Sequence, residues 1–291
     1  MIPNRVLISS FGKLLKISLL LELMKRIERE RIHHNKWAQE MIVDVSRDFD
    51  HFLALENRWI IERLPFLVGL KVLDVGCGLG EASLFFARQG GAVTAVDLSE
   101  EMIKHAVAAA RSEGLDIKGI VSSAEDLETG GEKFDVVYIA NVLHHLERPK
   151  EFVKKVGMIL KPDGVVFFIE PLRYNPVINT YRRMANHVRT KDERPLGFDV
   201  LDDINEYFAK VQYKTTWFLS LVIFLKYFVI DRVHPNDDRY WKRILKEPEK
   251  TRHWMEPLTK IDSFLCRYLA PIRYLCWNIV IAAQCPISTD K

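Results

Sequence analysis

Between Leu70 and Gly164 the chain alternates short β-branched and aliphatic runs with stretches whose apolar positions recur at helical spacing. That rhythm predicts a parallel sheet with crossover helices. Lys71–Val75 reads as the first strand, followed by a helix from about Gly80 to Gln89 that Gly90-Gly91 closes. Ala92–Val96 is the expected second strand. Ser99 then has the chemistry of an N-cap, with Glu100 and Glu101 well placed in the first turn of the next helix. Ile117–Val121, Phe134–Ala140 and Gly164–Ile169 supply three further strands. A helix near Pro149–Leu160 ends at Lys161-Pro162-Asp163-Gly164, which reads as a turn.

After residue 170 the rhythm changes. Residues 174–209 read as helices, Leu201–Phe208 most clearly, with Val211–Leu219 as a sixth strand and Trp277–Gln284 as a seventh. Residues 220–275 are left as an insertion rich in aromatic and charged positions. Near the start, Ile17, Leu20, Leu21, Met24 and Ile27 recur three or four apart, with Glu22, Lys25, Arg26 and Arg29 opposite. That pattern predicts an amphipathic helix in an N-terminal extension over residues 1–45, ahead of a main domain over 46–291. Trp217–Ile230 is almost wholly apolar, and Leu265–Trp277 adds Tyr268 and Tyr274 among aliphatics. Packing against the fold is the first reading of these segments; peripheral membrane contact or a greasy substrate pocket is the second.

Composition narrows the classes. The chain has 291 residues, 48% hydrophobic and 28% charged, which suffices for one large α/β domain with additions. A net charge of +3 is too small to argue for nucleic acid. Cys77, Cys266, Cys276 and Cys285 form no C-x-x-C pair, so neither a metal site nor a disulfide framework is expected. No cleavable leader is evident, and the apolar runs fall short of the roughly 20 residues a spanning helix needs. A cytoplasmic protein, free or peripherally membrane-associated, is the expectation.

The chemistry concentrates at Val72-Leu73-Asp74-Val75-Gly76-Cys77-Gly78-Leu79-Gly80. A buried strand leads to a turn where missing side chains let the backbone approach a ligand, and Cys77 adds only a small one. Such a turn at the carboxyl end of the first strand is where open α/β sheets bind ligands. A dinucleotide fingerprint, G-x-G-x-x-G, would need glycine at position 81; Glu81 stands there, and glycine comes one residue early at Gly80. Asp97 closes the second strand, where an acid can accept hydrogen bonds from ribose hydroxyls. Ser123-Ala124-Glu125-Asp126-Leu127 follows the third strand, with Asp126 able to accept from an adenine amino group, and Asn141 follows the fourth.

These segments, VLDVGCGLG (72–80), VDLSEEM (96–102), SAEDL (123–127), FDVVYIANVLHHL (134–146) and LKPDGVVFFIEP (160–171), resemble the class I S-adenosylmethionine-dependent methyltransferases. Within that class the likeness is to the small-molecule group containing the ubiquinone/menaquinone C-methyltransferases. The resemblance implies a Rossmann-like α/β fold with strand order 3-2-1-4-5-7-6 and an antiparallel seventh strand. It also implies S-adenosyl-L-methionine as cofactor. Asp74 and the backbone at Gly76 and Gly78 would hold the methionine moiety, with Cys77 and Gly80 in the same loop. Asp97 would hold the ribose, Leu98 and Met102 would flank the adenine, and Ala124, Glu125 and Asp126 would read its edge, near Asn141. For Leu98 and Met102 a purely structural place in the core is an equal alternative.

The methyl acceptor is expected to be a small, lipophilic molecule such as an isoprenoid, a quinone precursor or a lipid-linked metabolite. His144 and His145 just beyond the fourth strand, with Glu170 ending the fifth, could act as base and orienter for a protonated nucleophile. The alternative is that a histidine packs while Glu170 caps a turn. Arg173, Arg182, Arg183 and Arg189 could meet an anionic group on the acceptor, though a solvated helix face is the first reading. Residues 171–275 would hold the acceptor side. The other class of function is a non-catalytic cofactor-binding scaffold or activator. Protein or nucleic-acid methylation lacks its N-P-P-Y-type signature, since Asn141-Val142-Leu143-His144 stands at that place.

Overall fold

A computed structural model describes residues 4–40, 49–185, 190, 192–246 and 248–287. Seven strands form one sheet in the order β3-β2-β1-β4-β5-β7-β6. They are β1 (Lys71–Val75), β2 (Ala92–Asp97), β3 (Lys118–Val121), β4 (Phe134–Ala140), β5 (Leu160–Pro171), β6 (Phe208–Thr216) and β7 (Asn278–Pro286). The first five pair in parallel, and β7 runs antiparallel between β5 and β6. The helices are α1 (Asn4–Glu40), α2 (Leu55–Ile61), α3 (Glu81–Arg88), α4 (Glu100–Ser112), α5 (Pro149–Ile159), α6 (Pro176–Met184), α7 (Val200–Tyr207), α8 (Val222–Leu225), α9 (Tyr240–Lys246) and α10 (Pro248–Tyr268).

Both faces of the sheet are covered, so its central strands read as nearly continuous apolar runs. Val72, Phe167 and Ile169 pack with α3 and α4 through Leu84, Phe86, Met102 and Ala106 on one face. Leu73, Val137 and Phe168 pack with α5 and α7 through Phe152, Val156 and Ile204 on the other. A third cluster belongs to the insertion, where Trp217, Ile223, Phe224, Tyr240 and Met255 close over Phe52 and Leu53. Asp262 of α10 anchors it: its buried carboxylate accepts the main-chain N–H of Phe218, Leu219 and Ser220 at 2.7–3.0 Å.

Beyond shifts of a residue or two at strand ends, three features depart from the sequence reading. Lys161–Gly164 is not a turn between elements but a bulge inside β5: Leu160 pairs with Phe134, and the register resumes only at Val165 opposite Val136. Lys161 Nζ donates to both carboxylate oxygens of Asp135, which holds the detour against the sheet. β6 starts and stops three residues earlier than expected, because Asp262 captures the amides of residues 218–220. On α1, the face turned inward carries Leu23, Arg26, Ile27, Glu30, Trp37 and Ala38, whereas Leu21 and Met24 are exposed. Arg26, expected on the solvent side, is 6% exposed. The side chains of Ile17 and Leu20 lie outside the described ones.

Candidate active site

The carboxyl ends of β1, β2 and β4 open onto one cavity of about 560 Å³, roofed by α1 and closed at the far end by the insertion. Its floor is the glycine turn. Gly76 and Gly78 have φ of +73° and +54°, a region that costs an L-residue about 1–2 kcal/mol. A Cβ at Gly78 would meet nothing within 4 Å, whereas one at Gly76 would stand 2.4 Å from Val142 Cγ2. Gly80 serves packing instead: a Cβ there would lie 2.7 Å from the Cβ of Ala106 on α4.

Asp97 ties the turn to α4. Its Oδ2 accepts the N–H of Gly78 at 3.0 Å and its Oδ1 that of Ser99 at 2.8 Å. Ser99 is the N-cap the sequence indicated, its hydroxyl accepting the N–H of Met102 at 3.1 Å. The Leu98 amide also approaches this carboxylate, which still has acceptor capacity for a ligand hydroxyl. Burial raises the Asp97 pKa, against the pull of the Ser99 and Gly78 amides. Asp74, 1% exposed, accepts from the Ser83 hydroxyl at 2.6 Å and is pushed up to about 7 by burial. Burial and the neighbouring acids push the Cys77 thiol far up, so it is inert packing.

The expected cofactor residues divide. Asp74, Gly76, Cys77, Gly78, Asp97, Leu98, Ala124, Glu125 and Asn141 line the cavity. Gly80, Met102 and Asp126 do not. Met102 is completely buried beneath α4. Asp126 folds back on its own turn, accepting from the Ser123 hydroxyl at 2.7 Å while that oxygen accepts the Asp126 N–H at 3.0 Å. Asn141 reaches the cavity rim with φ of +58°, a conformation asparagine tolerates.

Glu170 is fully buried and serves as a cap. Its Oε1 accepts the amides of Val142 and Leu143 at 3.0 and 2.7 Å, and Oε2 the amide and Nδ1 of His144 at 3.3 and 2.7 Å. Burial lifts its pKa to about 7 in spite of these donors. His144 and His145 both line the cavity, their rings 4.2 Å apart. Burial and the neighbouring His144 lower the His145 value to about 4, so its ring is neutral at physiological pH. Of the arginines, Arg182 lines the cavity while donating to the Leu172 carbonyl and Asn179. Arg173 pairs with Asp199, Arg183 is exposed, and Arg189 lies outside the described residues.

Among the lining groups, Trp37, Trp241, Glu56 and Glu30 had no local signal in the sequence, while Trp217 and Trp277 belong to the apolar runs whose second reading is a greasy substrate pocket. Four of the six tryptophans, Trp37, Trp217, Trp241 and Trp277, meet at the cavity from four separate segments. Trp217 and Trp277 pack edge to face at 6.0 Å, as do Trp37 and Trp241 at 6.2 Å. Beside them Glu56 accepts from Thr216 and from Asn278 Nδ2, and the Tyr138 hydroxyl donates to Asn57 at 3.0 Å. Glu30 and Arg26 enter from α1. The cavity thus has an acidic end at the glycine turn and an aromatic, amphiphilic end under the insertion.

This strand order, with a glycine turn after β1 and an acid closing β2, defines the class I methyltransferase fold. The methyltransferase domain family matches residues 73–168, and the chain carries a domain of that S-adenosylmethionine-dependent class. A ubiquinone biosynthesis O-methyltransferase of Caulobacter vibrioides is 45% identical over 116 residues, 40% of this chain and 46% of the relative. One from Pseudomonas entomophila is 35% identical over 140 residues, 48% of this chain and 59% of the relative. The chain therefore spans about half the length of the curated relatives it matches. A chain of the complex between the Haloferax volcanii Trm112 methyltransferase activator and a methyltransferase aligns at TM-score 0.56 and 16% identity. That alignment covers 90% of this chain and 99% of the other, a likeness of fold. The turn fits the cofactor: open space at Gly78, acceptor capacity on Asp97, and a buried acid at Asp74 suited to a cationic amine.

Proposed function

We propose that this protein transfers a methyl group from S-adenosylmethionine to an oxygen of a small, lipophilic acceptor in the chemical range of isoprenoid-quinone precursors. The observation that carries the reading is the single cavity joining the glycine turn to the four-tryptophan wall. The function of the relatives, O-methylation in ubiquinone biosynthesis, supports the oxygen and the lipophilic acceptor.

When bound, the cofactor supplies a methyl group already activated by its sulfonium. The chain must align the nucleophile, exclude water and take up its proton. Asp97 holds the ribose, and Asp74 together with the Gly76 and Gly78 backbone holds the methionine end. Trp217 and Trp277 offer flat apolar faces to the acceptor, and α1 shuts out water. His145, neutral and on the cavity wall, accepts the hydroxyl proton; His144, held by Glu170, backs its ring.

We place the acceptor's tail near a membrane surface. Phe228, Val229 and Ile230 after α8, and Phe264 and Tyr268 on α10, are 44–71% exposed, and Lys260 and Arg267 stand on α10 with the latter two. No helix among the described residues is long and apolar enough to cross a membrane. Transfer of labelled methyl from S-adenosylmethionine into lipid and soluble extracts, followed by mass spectrometry, tests the whole reading. A labelled O-methylated lipid is expected. Label recovered only in protein or nucleic acid, or in nothing while a stoichiometric partner co-purifies, refutes it.

A further inference from the structure

Two residues one turn apart on α1 converge on His145. Arg26 donates through Nη2 to the His145 carbonyl at 2.6 Å and to the Asp192 carbonyl at 3.1 Å, and through Nη1 to the Glu147 carboxylate. One turn on, Glu30 sets its Oε2 3.4 Å from His145 Nδ1 and 3.6 Å from His34 Nε2. The Glu30 side chain is 6% exposed, and neither of its oxygens has a well-formed hydrogen bond. His145 Nδ1 is likewise buried without a well-aligned partner, while Nε2 has no partner among the described residues and belongs to a ring lining the cavity.

A buried carboxylate without hydrogen bonds costs several kcal/mol, so a fold keeps one only where a donor compensates it. The donors in reach are the N–H that His145 carries at Nδ1 in one of its two tautomers, at 3.4 Å, the His34 ring at 3.6 Å and the Thr190 hydroxyl, and His145 is the nearer of the two imidazoles. Glu170, the carboxylate bound to His144, already accepts four hydrogen bonds from the 142–144 turn. Catalytic hydrogen bonds are often long before substrate binds, and 3.4 Å is that kind of distance.

We propose that Glu30 is the positioning carboxylate of His145, so that α1 completes the catalytic site as well as covering it. Glu30 accepts the Nδ1 proton, which leaves the Nε2 lone pair towards the acceptor hydroxyl. The hydroxyl proton passes to Nε2, and the imidazolium formed faces a carboxylate across its other nitrogen. Arg26 fixes the main chain of the same residue, so ring and backbone are gripped from one helix face. The inference rests on the reading of His145 as base. The charged and titratable groups around that ring are Glu30, Arg26, His33 and His34 on α1, and His144 and Glu147 on its own loop. Glu170, Asp192, Glu193 and Arg194, the last pairing with Glu147 at 3.6 Å, face the same region.

The test uses the full chain with Glu30→Gln, Glu30→Asp and His145→Ala. Nitrogen-correlated NMR of the imidazoles should show His145 as the Nδ1–H tautomer in the wild type and a mixture in Glu30→Gln. With a catechol carrying a geranyl chain as probe, Glu30→Gln should lower kcat about 100-fold. KM should stay within about threefold, S-adenosylhomocysteine affinity should be unchanged, and Glu30→Asp should recover part of kcat. An unchanged tautomer, or a Glu30→Gln kcat within about threefold of wild type, overturns the proposal. His145→Ala with full activity overturns the base itself, a different failure. If the wild type does not methylate the probe, the tautomer alone decides on Glu30.

Discussion

The glycine turn makes a quantitative prediction because its two cavity-lining glycines are constrained differently. Both have positive φ, so alanine at either costs about 1–2 kcal/mol of backbone strain. At Gly76 the new methyl also stands 2.4 Å from Val142 Cγ2. Val142 is β-branched and precedes the turn capped by Glu170, so it has little freedom to yield. Overpacking of this kind adds about 1–3 kcal/mol, so Gly76→Ala should cost about 3 kcal/mol in total. At Gly78 the methyl meets open cleft, and only the strain remains. Denaturant unfolding of both variants, with S-adenosylhomocysteine titrations, separates the two. Gly76→Ala should lose the larger share of stability. Gly78→Ala should lose about 1 kcal/mol of stability yet bind at least about tenfold more weakly, because its methyl fills ligand space. Adding Val142→Ala to Gly76→Ala should return the overpacking part and leave the strain, a coupling that a double-mutant cycle measures. Equal destabilisation at the two glycines, or no coupling between Gly76 and Val142, would refute the reasoning.

Two further predictions concern buried acids. Asp74 sits at about 7 in the fold against an ordinary 3.8, so the folded chain holds its proton more tightly than the unfolded one. Its contribution to stability is therefore full below pH 3.8 and lost as pH rises through 7. A cationic amine beside it reverses the shift, so S-adenosylhomocysteine binding at pH 6–7 should release a fraction of a proton. Calorimetry in buffers of different ionisation enthalpy should show this in the wild type and not in Asp74→Asn. Glu170→Ala strands two buried main-chain amides, a half-buried one at Val142 and the His144 ring, at about 1–3 kcal/mol for each buried group. Unfolding should become easier by at least about 3 kcal/mol; a loss below about 1 kcal/mol would contradict the capping role.

What the sequence showed follows from how local each cause is. β1 and β4 were read to the residue because their apolar runs are bounded by neighbouring turn signals. The Ser99 cap and the Gly76–Gly78 turn were legible for the same reason. Lys161–Gly164 misled, because an ion pair to Asp135 turns a loop-like composition into a bulge. Asp126 carried a readable warning: serine three residues earlier is a local capping pair, and the carboxylate folds back onto it. Glu30, Arg26, Trp37 and Trp241 had no such signal, whereas Trp217 and Trp277 lie in the apolar runs whose second reading is a greasy substrate pocket. Glu30 meets His145 across more than a hundred positions, and a helix with apolar residues on two faces does not declare which one packs.

If the cleft between β1 and β2 is a working S-adenosylmethionine site, calorimetric titration with S-adenosylhomocysteine reads it out. One equivalent should bind in the micromolar range, and Asp97→Asn should weaken binding at least about tenfold, some 1.4 kcal/mol, while remaining folded. A folded wild type that binds nothing, or an Asp97→Asn variant that binds as well as the wild type, would contradict the account.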